Sequence, residues 1–556
     1  MKFRVSISIL LILILNNSWS QSGTTVLSKP VPQGWHLMDP AKDGQWGINL
    51  NNAYTFLYQT KKKSVPVTVA VIDSGIDTTH EDLKNVLWIN KKEIAQNGID
   101  DDHNGYIDDI NGWNFLGNKD GKNVEQDSYE GARVYYNWRD KFESSSFDSS
   151  KIKKEDTWLY DTWKKARIAI KSEENEPEID FAVMNKILKL SKKNDSIIKI
   201  ALHKEVYSGN DLELYEVQNS MERIARSAML SMFKGNNMME ATNQEFLEGF
   251  DEFIKTEEKK ALAKGKPPIP YRKQIVQDDE NDFVNKSYGN NNLMVSLEAS
   301  QHGTHVSGII AASRNNNKGI QGIADNVRIM SLRVVPDGDE HDKDIALAIR
   351  YAVDNGAKVI NMSFGKSFSP FKEKIDEAVM YANSKNVLFI HAAGNDHKNV
   401  DSSDNYPSST FTNGKDKATN WITVGASANG DTTAEGFTAS FSNYGKNEVD
   451  LFAPGVKIYS TYPGGNVYRN MDGTSMAAPV VTGTSALILS YFPNLTPQEV
   501  KFCLETGVQK IKRNVRKPGS EEIVAFNELC KTGGLLDAYN AVKIASSISK
   551  KKLAKK

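Results

Sequence analysis

VTVAVID (67–73) is the stretch on which the fold turns. It is rich in β-branched residues and has no alternation of polar and apolar positions, which predicts a strand buried on both faces. Comparable runs recur downstream: RIMSLRVV (328–335), KVINMSF (358–364), VLFIHAA (387–393) and WITVGA (421–426). Between them, 342–357 and 371–386 carry apolar residues at three- and four-residue spacing and read as amphipathic helices. This alternation predicts an α/β fold: a doubly wound, mostly parallel sheet with helices on both faces. In such sheets the active site forms beyond the carboxyl ends of the strands, where Asp73 lies.

Working outward, residues 123–263 break the pattern. They are dense in Lys, Glu, Asp, Asn and Ser, with helical stretches such as DTWLYDTWKKARIAI and FAVMNKILKLSKKN. The segment reads as a large, charged helical insertion, left through the Pro-rich KGKPPIPY (264–271). It divides the principal domain into 67–122 and 264–545. Residues 21–66 lead in, and 546–556, ending SKKKLAKK, read as a basic, disordered tail.

At the N-terminus, Lys2 and Arg4 precede an apolar run of about eleven residues and the small residues Ser18 and Ser20, which predicts a cleavable signal peptide over 1–20. The run is well short of the ~20 residues that span a bilayer, so no membrane span is expected after cleavage. Export, to the periplasm or the medium, follows. With 69 basic against 70 acidic side chains, no global field favours nucleic acid as a partner. An oxidising destination predicts a disulfide between Cys503 and Cys530, the chain's two cysteines.

Three residues carry chemistry. Asp73 ends the first strand, where a carboxylate is costly to bury without a partner and can orient a histidine. His302 opens HGTHVSGIIAA, where glycines and small residues lead into an apolar helix and the imidazole can act as a base. With His305 it forms an HxxH pair, but the zinc-enzyme spacing HExxH is absent. Ser475, in GTSMAAPVVTG, precedes a long helix whose unpaired N–H groups can hold an oxyanion; Pro479 fits its early turns. Each has a bland reading alone, as a strand-end or helix-capping residue.

In this order VAVIDSGID, HGTHVSGIIAA and DGTSMAAPVVTG resemble the three signature blocks of the subtilisin-like serine proteases. The similarity extends over 67–121 and 300–542. It implies a subtilisin-like fold and a serine endopeptidase acting on polypeptides, with Asp73 orienting, His302 as general base and acid, and Ser475 as nucleophile. HAAGN (391–395) resembles the block that ends in the oxyanion-hole asparagine, which implies that role for Asn395. The resemblance also implies that Ser363, Phe364 and Gly365 on one side, and Ala392, Ala393 and Gly394 on the other, wall the cleft for the residue before the scissile bond. A catalytically silent peptide-binding protein on the same fold is the competing reading.

DDDHNGYIDD (100–109) sets Asp100, Asp102, Asn104 and Asp108 at the spacing of a calcium loop, with Gly105 at the turn and Tyr106 following it. Asn111 replaces the usual bidentate Glu. Structural Ca²⁺ is therefore expected. Asp82 and Asn316 match a second calcium site common in the resembled family. Residues 21–66 are too short for the sizeable inhibitory propeptide of its secreted members; GWHLMDPAKDGQWGINLNNAYTF (34–56) resembles the stretch that leads into the protease domain.

Overall fold

The computed structural model describes residues 31–555 apart from 175–178, 237, 240 and 431–435. The predicted signal peptide lies outside the described residues. Two compact units emerge: Lys171–Lys266, and a larger one made of Val31–Ile170 and Pro267–Lys556. Residues 123–170, read from composition as part of the insertion, fold with the larger unit: Val124 is buried in its core, and Val134, Tyr135, Phe142 and Trp163 form a satellite cluster. Charge density hid these aromatic anchors.

The main sheet of the larger unit has nine strands: β1 (Val67–Asp73), β2 (Gly112–Asn114), β3 (Val327–Arg333), β4 (Val359–Met362), β5 (Leu388–Ala392), β6 (Trp421–Ser427), β7 (Leu451–Pro454), β8 (Gln509–Lys510) and β9 (Gly534–Leu535). Their spatial order is β8-β9-β7-β6-β5-β4-β1-β3-β2. Every pairing is parallel except β8 with β9. Strand β1 shows why a continuous apolar run was needed. Val67, Val69 and Val71 enter one apolar cluster, and Ala70 and Ile72 enter another on the opposite face.

The first cluster is covered by α1 (Leu50–Gln59), α2 (Gln301–Ala311) and α3 (Thr474–Tyr491), and the second by α4 (Asp342–Asp354) and α5 (Lys372–Ser384). Trp35, Ile48 and Leu50 sit in the first cluster, so the lead-in is part of the core. The last helix, Ala538–Ala554, continues through most of the stretch read as a disordered tail. Ser549 donates to Asn494 Oδ1 at 2.9 Å and Lys552 to Glu499 at 2.7 Å, contacts that offset the cost of ordering it.

The disulfide expectation is overturned. Cys503 and Cys530 are free and buried, one in the first core cluster and the other in a C-terminal cluster with Phe452, Val515 and Phe526. Burial pushes the Cys503 thiol up to about 12 and also raises Cys530. Both behave as small hydrophobes, a role that counting cysteines does not reveal.

The unit Lys171–Lys266 is helical, with Phe181–Leu202, Gly209–Leu214, Ser220–Gly235 and Asn243–Ala263. Leu188, Ile198, Met229, Phe233, Phe246 and Phe250 fill its centre. Ser208 with Asp211, and Thr242 with Glu245, form capping boxes that satisfy the first N–H groups of two helices.

Candidate active site

Asp73 closes β1, and His302 is the second residue of α2. The Asp73 carboxylate is nearly inaccessible, at 2% side-chain exposure against 32% for His302. His302 Nδ1 lies 2.7 Å from Asp73 Oδ1, and the Ser74 N–H donates to the same oxygen at 2.7 Å. A carboxylate can only accept, so Nδ1 carries the proton and Nε2 keeps the lone pair that a base needs. Burial opposes charging the ring, but the adjacent Asp73 charge and its hydrogen bond outweigh it, raising His302 above its ordinary 6.5. The approach depends on glycine. A Cβ at Gly303 would lie 2.0 Å from the Gly75 carbonyl.

Ser475 is the second residue of α3, where the preceding turn offers its N–H no acceptor. Its hydroxyl donates to the Ser363 carbonyl at 2.8 Å, and Ser363 Oγ donates to the Ser475 carbonyl at 2.9 Å. The tip of β4 and the start of α3 are thus tied twice. The hydroxyl proton is committed to Ser363, so in this arrangement Ser475 does not donate to His302. Asn395 Oδ1 accepts from the Thr474 N–H and Oγ1, each at 2.9 Å, which fixes the amide and frees Nδ2. A Cβ at Gly473 would lie 3.5 Å from the Ser475 N and 3.6 Å from Asn395 Nδ2, so both donors border one spot.

The model of the Subtilase family matches residues 65–520, most of the chain. The chain belongs to the subtilase family. It is 41% identical over 231 residues to the thermophilic serine proteinase of Bacillus sp. (strain AK1), covering 41% of this chain and 51% of that protein. It is 38% identical to the cell wall-associated protease of Bacillus subtilis (strain 168), covering 45% and 25%. Thermitase of Thermoactinomyces vulgaris is 34% identical, with 42% and 78% covered. The chain thus spans about half, or less, of the length of the first two relatives.

In this subtilase the six predicted subsite residues flank the ends of β4 and β5. Ser363 is buried, and Phe364 packs partly on the second core cluster while its carbonyl meets His391 Nε2 at 2.9 Å. The Ala392 and Ala393 methyls are buried in two different clusters, so what these residues leave at the strand end is backbone and not side chain. Asn405, which sequence reading missed, stands between the two walls. Its Oδ1 would be 2.6 Å from a Cβ on Gly365 and 3.7 Å from one on Gly394, while its Nδ2 donates to the Ala393 carbonyl at 2.9 Å. Its loop follows β5 by more than ten residues and carries no local signal.

The predicted calcium loop is brought together only in part. Carboxylate oxygens of Asp100, Asp102 and Glu93 lie within 4.8 Å of one another. Glu93, absent from the loop pattern, also accepts the N–H groups of Asp102 and Asp108 at 3.1 and 3.0 Å. Asp108 turns away to cap the Asn97 and Gly98 N–H groups. Asn104 donates to Asp109 at 2.9 Å, and the Tyr106 ring packs edge-on against Trp113 and Tyr351. At the second predicted site the Asn316 amide donates to Asp82, which also accepts from the Tyr468 hydroxyl at 2.8 Å. His305 belongs to the core. Its Nε2 meets the Arg469 carbonyl at 3.1 Å, and burial pushes it down to about 3.

Proposed function

We propose that this chain hydrolyses peptide bonds as a serine endopeptidase, with Asp73, His302 and Ser475 as its triad. The observation that carries the reading is the convergence of the Ser475 N–H and Asn395 Nδ2 on one spot beside Gly473. Two donors bordering a common point are what a tetrahedral oxyanion requires, and a silent peptide-binding scaffold has no use for them.

In the reaction, the Ser475 hydroxyl turns from Ser363 to His302 Nε2, a hydrogen bond of the kind that tightens only when substrate is bound. Oγ attacks the carbonyl carbon as its proton passes to Nε2, and the oxygen that gains charge is held by the two donors. Asp73 stays ionised and stabilises the imidazolium. The imidazolium then protonates the leaving amine as the C–N bond breaks, giving an acyl-enzyme. Water, deprotonated by the same nitrogen, releases the acid and restores Ser475.

Fluorophosphonate labelling of the purified protein tests the assignment. One equivalent should attach at Ser475 and none to Ser475→Ala; labelling elsewhere, or none in the wild type, would overturn it.

We also read the Glu93, Asp100 and Asp102 cluster as able to hold a structural Ca²⁺. Three carboxylates this close repel one another, and exposed Lys92, 3.8 Å from Asp102, is weak compensation, so an oxygen-preferring cation fits. Chelation should lower Tm by a few degrees, about 1–3 kcal/mol of linkage; an unchanged Tm with no calcium by elemental analysis would remove the site. The signal-like N-terminus supports export to the medium or periplasm, and no helix among the described residues is long and apolar enough to cross a membrane.

A further inference from the structure

Arg333, the last residue of β3, is fully buried, and its Cα is the direct sheet neighbour of Asp73. Its three hydrogen bonds all go to neutral oxygens: Nε to the Ser74 carbonyl at 3.0 Å, Nη1 to Asn114 Oδ1 at 3.1 Å and Nη2 to the Val124 carbonyl at 2.7 Å. Burial lowers its pKa to about 10, which leaves it a cation at neutral pH. The Glu125 charge offsets only part of that burial, and none of the described hydrogen bonds of Arg333 goes to a carboxylate, so packing alone is a poor reason for the cation. Its planar fork holds three acceptors from three separate segments, one on each nitrogen, in a fixed geometry that a lysine ammonium does not impose.

Ser74 is the residue that matters most among those acceptors. Its N–H donates to the Asp73 oxygen that meets His302, and its Oγ accepts from the Gly303 N–H at 3.3 Å, next to His302. The backbone beyond Arg333 grips the same tip, since the Val334 and Val335 N–H groups donate to the Asp73 carbonyl at 2.9 and 3.2 Å. Asn114 passes the restraint outward. Its Nδ2 donates to Asn123 at 2.7 Å and to Asn290 at 3.0 Å, and its backbone pairs with that of Asn290 in both directions. Three residues after Asp73, the Ile76 N–H donates to the Leu293 carbonyl at 2.9 Å. The turn after Asp73 is therefore held by the segments 114–124 and 290–293 of the larger unit, the first of them through one guanidinium.

We propose that Arg333 is a positioning residue for the reaction: by holding the Ser74 carbonyl it restrains Ser74, whose N–H on the preceding peptide seats the Asp73 carboxylate on His302. The inference rests on the triad reading above. It also explains why a cation occupies the buried tip of β3, between Asp73 and Asn114.

The test uses the full chain with Arg333→Lys, which keeps the charge and stem but loses the fork, and Asn114→Ala, which keeps Arg333 and removes one of its three acceptors. Active sites are counted by fluorophosphonate before kcat, KM and the pH profile are measured on a peptide substrate. Arg333→Lys should lower kcat per labelled site by about 10- to 100-fold, the scale of a small misplacement, with KM within roughly twofold. Its acid limb should fall towards the ordinary histidine value, because a loosened Asp73 raises His302 less. Asn114→Ala should lower kcat by a smaller factor, about twofold to tenfold for one hydrogen bond.

A purely structural Arg333 would lower Tm and the yield of labelled sites but leave kcat per site and the acid limb unchanged, which would overturn the proposal. Should Arg333→Lys not fold, Asn114→Ala decides on the same readouts. Failure of the triad reading is distinguishable, because the wild type itself would then lack the label at Ser475.

Discussion

The two halves of the site are organised differently. Asp73 and His302 are already joined, with a buried carboxylate held by a backbone N–H and seated at 2.7 Å on the ring. On the other side the proposed oxyanion donor is fixed but the proposed nucleophile is parked: Asn395 is locked by Thr474, while the Ser475 hydroxyl rests on the Ser363 carbonyl. In the proposed reaction the Asp73 and Asn395 oxygens, which must keep one orientation, each accept two hydrogen bonds, and the one group that must move is held by a single exchangeable bond. Preorganisation has been placed where reorganisation would be most expensive.

Breaking the joined half should have the largest effect. Asp73→Asn leaves shape and burial intact, but its amide can present Nδ2 to the ring and favour the tautomer with the proton on Nε2. A fall in kcat of about 10⁴ is expected from pre-steady-state or steady-state peptide hydrolysis. If Asp73→Asn kept kcat within tenfold, the joined pair would be architectural and the contrast between the halves would vanish. On the other half, Asn395→Ala removes one of two oxyanion donors and should lower kcat by about 10²–10³ with little change in KM. A rise in KM at constant kcat would instead make Asn395 a ground-state contact.

The pH profile sharpens the same contrast, because it reads the joined half alone. His302 is raised above 6.5, so the imidazolium persists to higher pH than in a free histidine. Only the neutral ring accepts the Ser475 proton. Activity should therefore rise with pH through that raised value, leaving the wild type at less than half of its plateau kcat/KM at pH 6.5. Asn395→Ala should not move this limb, and Asp73→Asn should shift it downward by removing the carboxylate that raises it. A limb at or below 6.5 in the wild type would mean that burial dominates over Asp73.

Much of this was legible in sequence, for a physical reason. A strand buried on both faces has to be largely apolar, so VTVAVID, KVINMSF and VLFIHAA announce a parallel sheet, with Asp73 at the carboxyl end of a strand and His302 and Ser475 at helix starts. What escaped has no local pattern. Asn405 reaches the space between Gly365 and Gly394 only because a loop folds back, and Glu93 joins Asp100 and Asp102 from outside the repeating loop positions. Arg333 lay inside a run read for its apolar neighbours, where one buried cation looks like an exposed edge position. The cysteines misled because export and an even count give no information on distance. Cys503 and Cys530 pack into separate clusters.

The smallest expected effect concerns the lock itself. Thr474 holds Asn395 through two groups, its backbone N–H and its hydroxyl, and the same hydroxyl accepts from the Gly394 N–H at 3.0 Å. Thr474→Val keeps the β-branched shape and the backbone bond while deleting the hydroxyl. Asn395 then loses one of two restraints on its carbonyl end, and the Gly394 N–H loses its acceptor, but Nδ2 remains present. The loss should be that of about one hydrogen bond, ~1 kcal/mol or roughly fivefold in kcat, well short of Asn395→Ala. In the double variant Asn395→Ala with Thr474→Val, removal of the hydroxyl should cost little more, since the group it restrains is gone. Full additivity of the two losses in kcat would show that Thr474 acts on Ser475 independently. The fixed donors would then owe their orientation to the helix start alone.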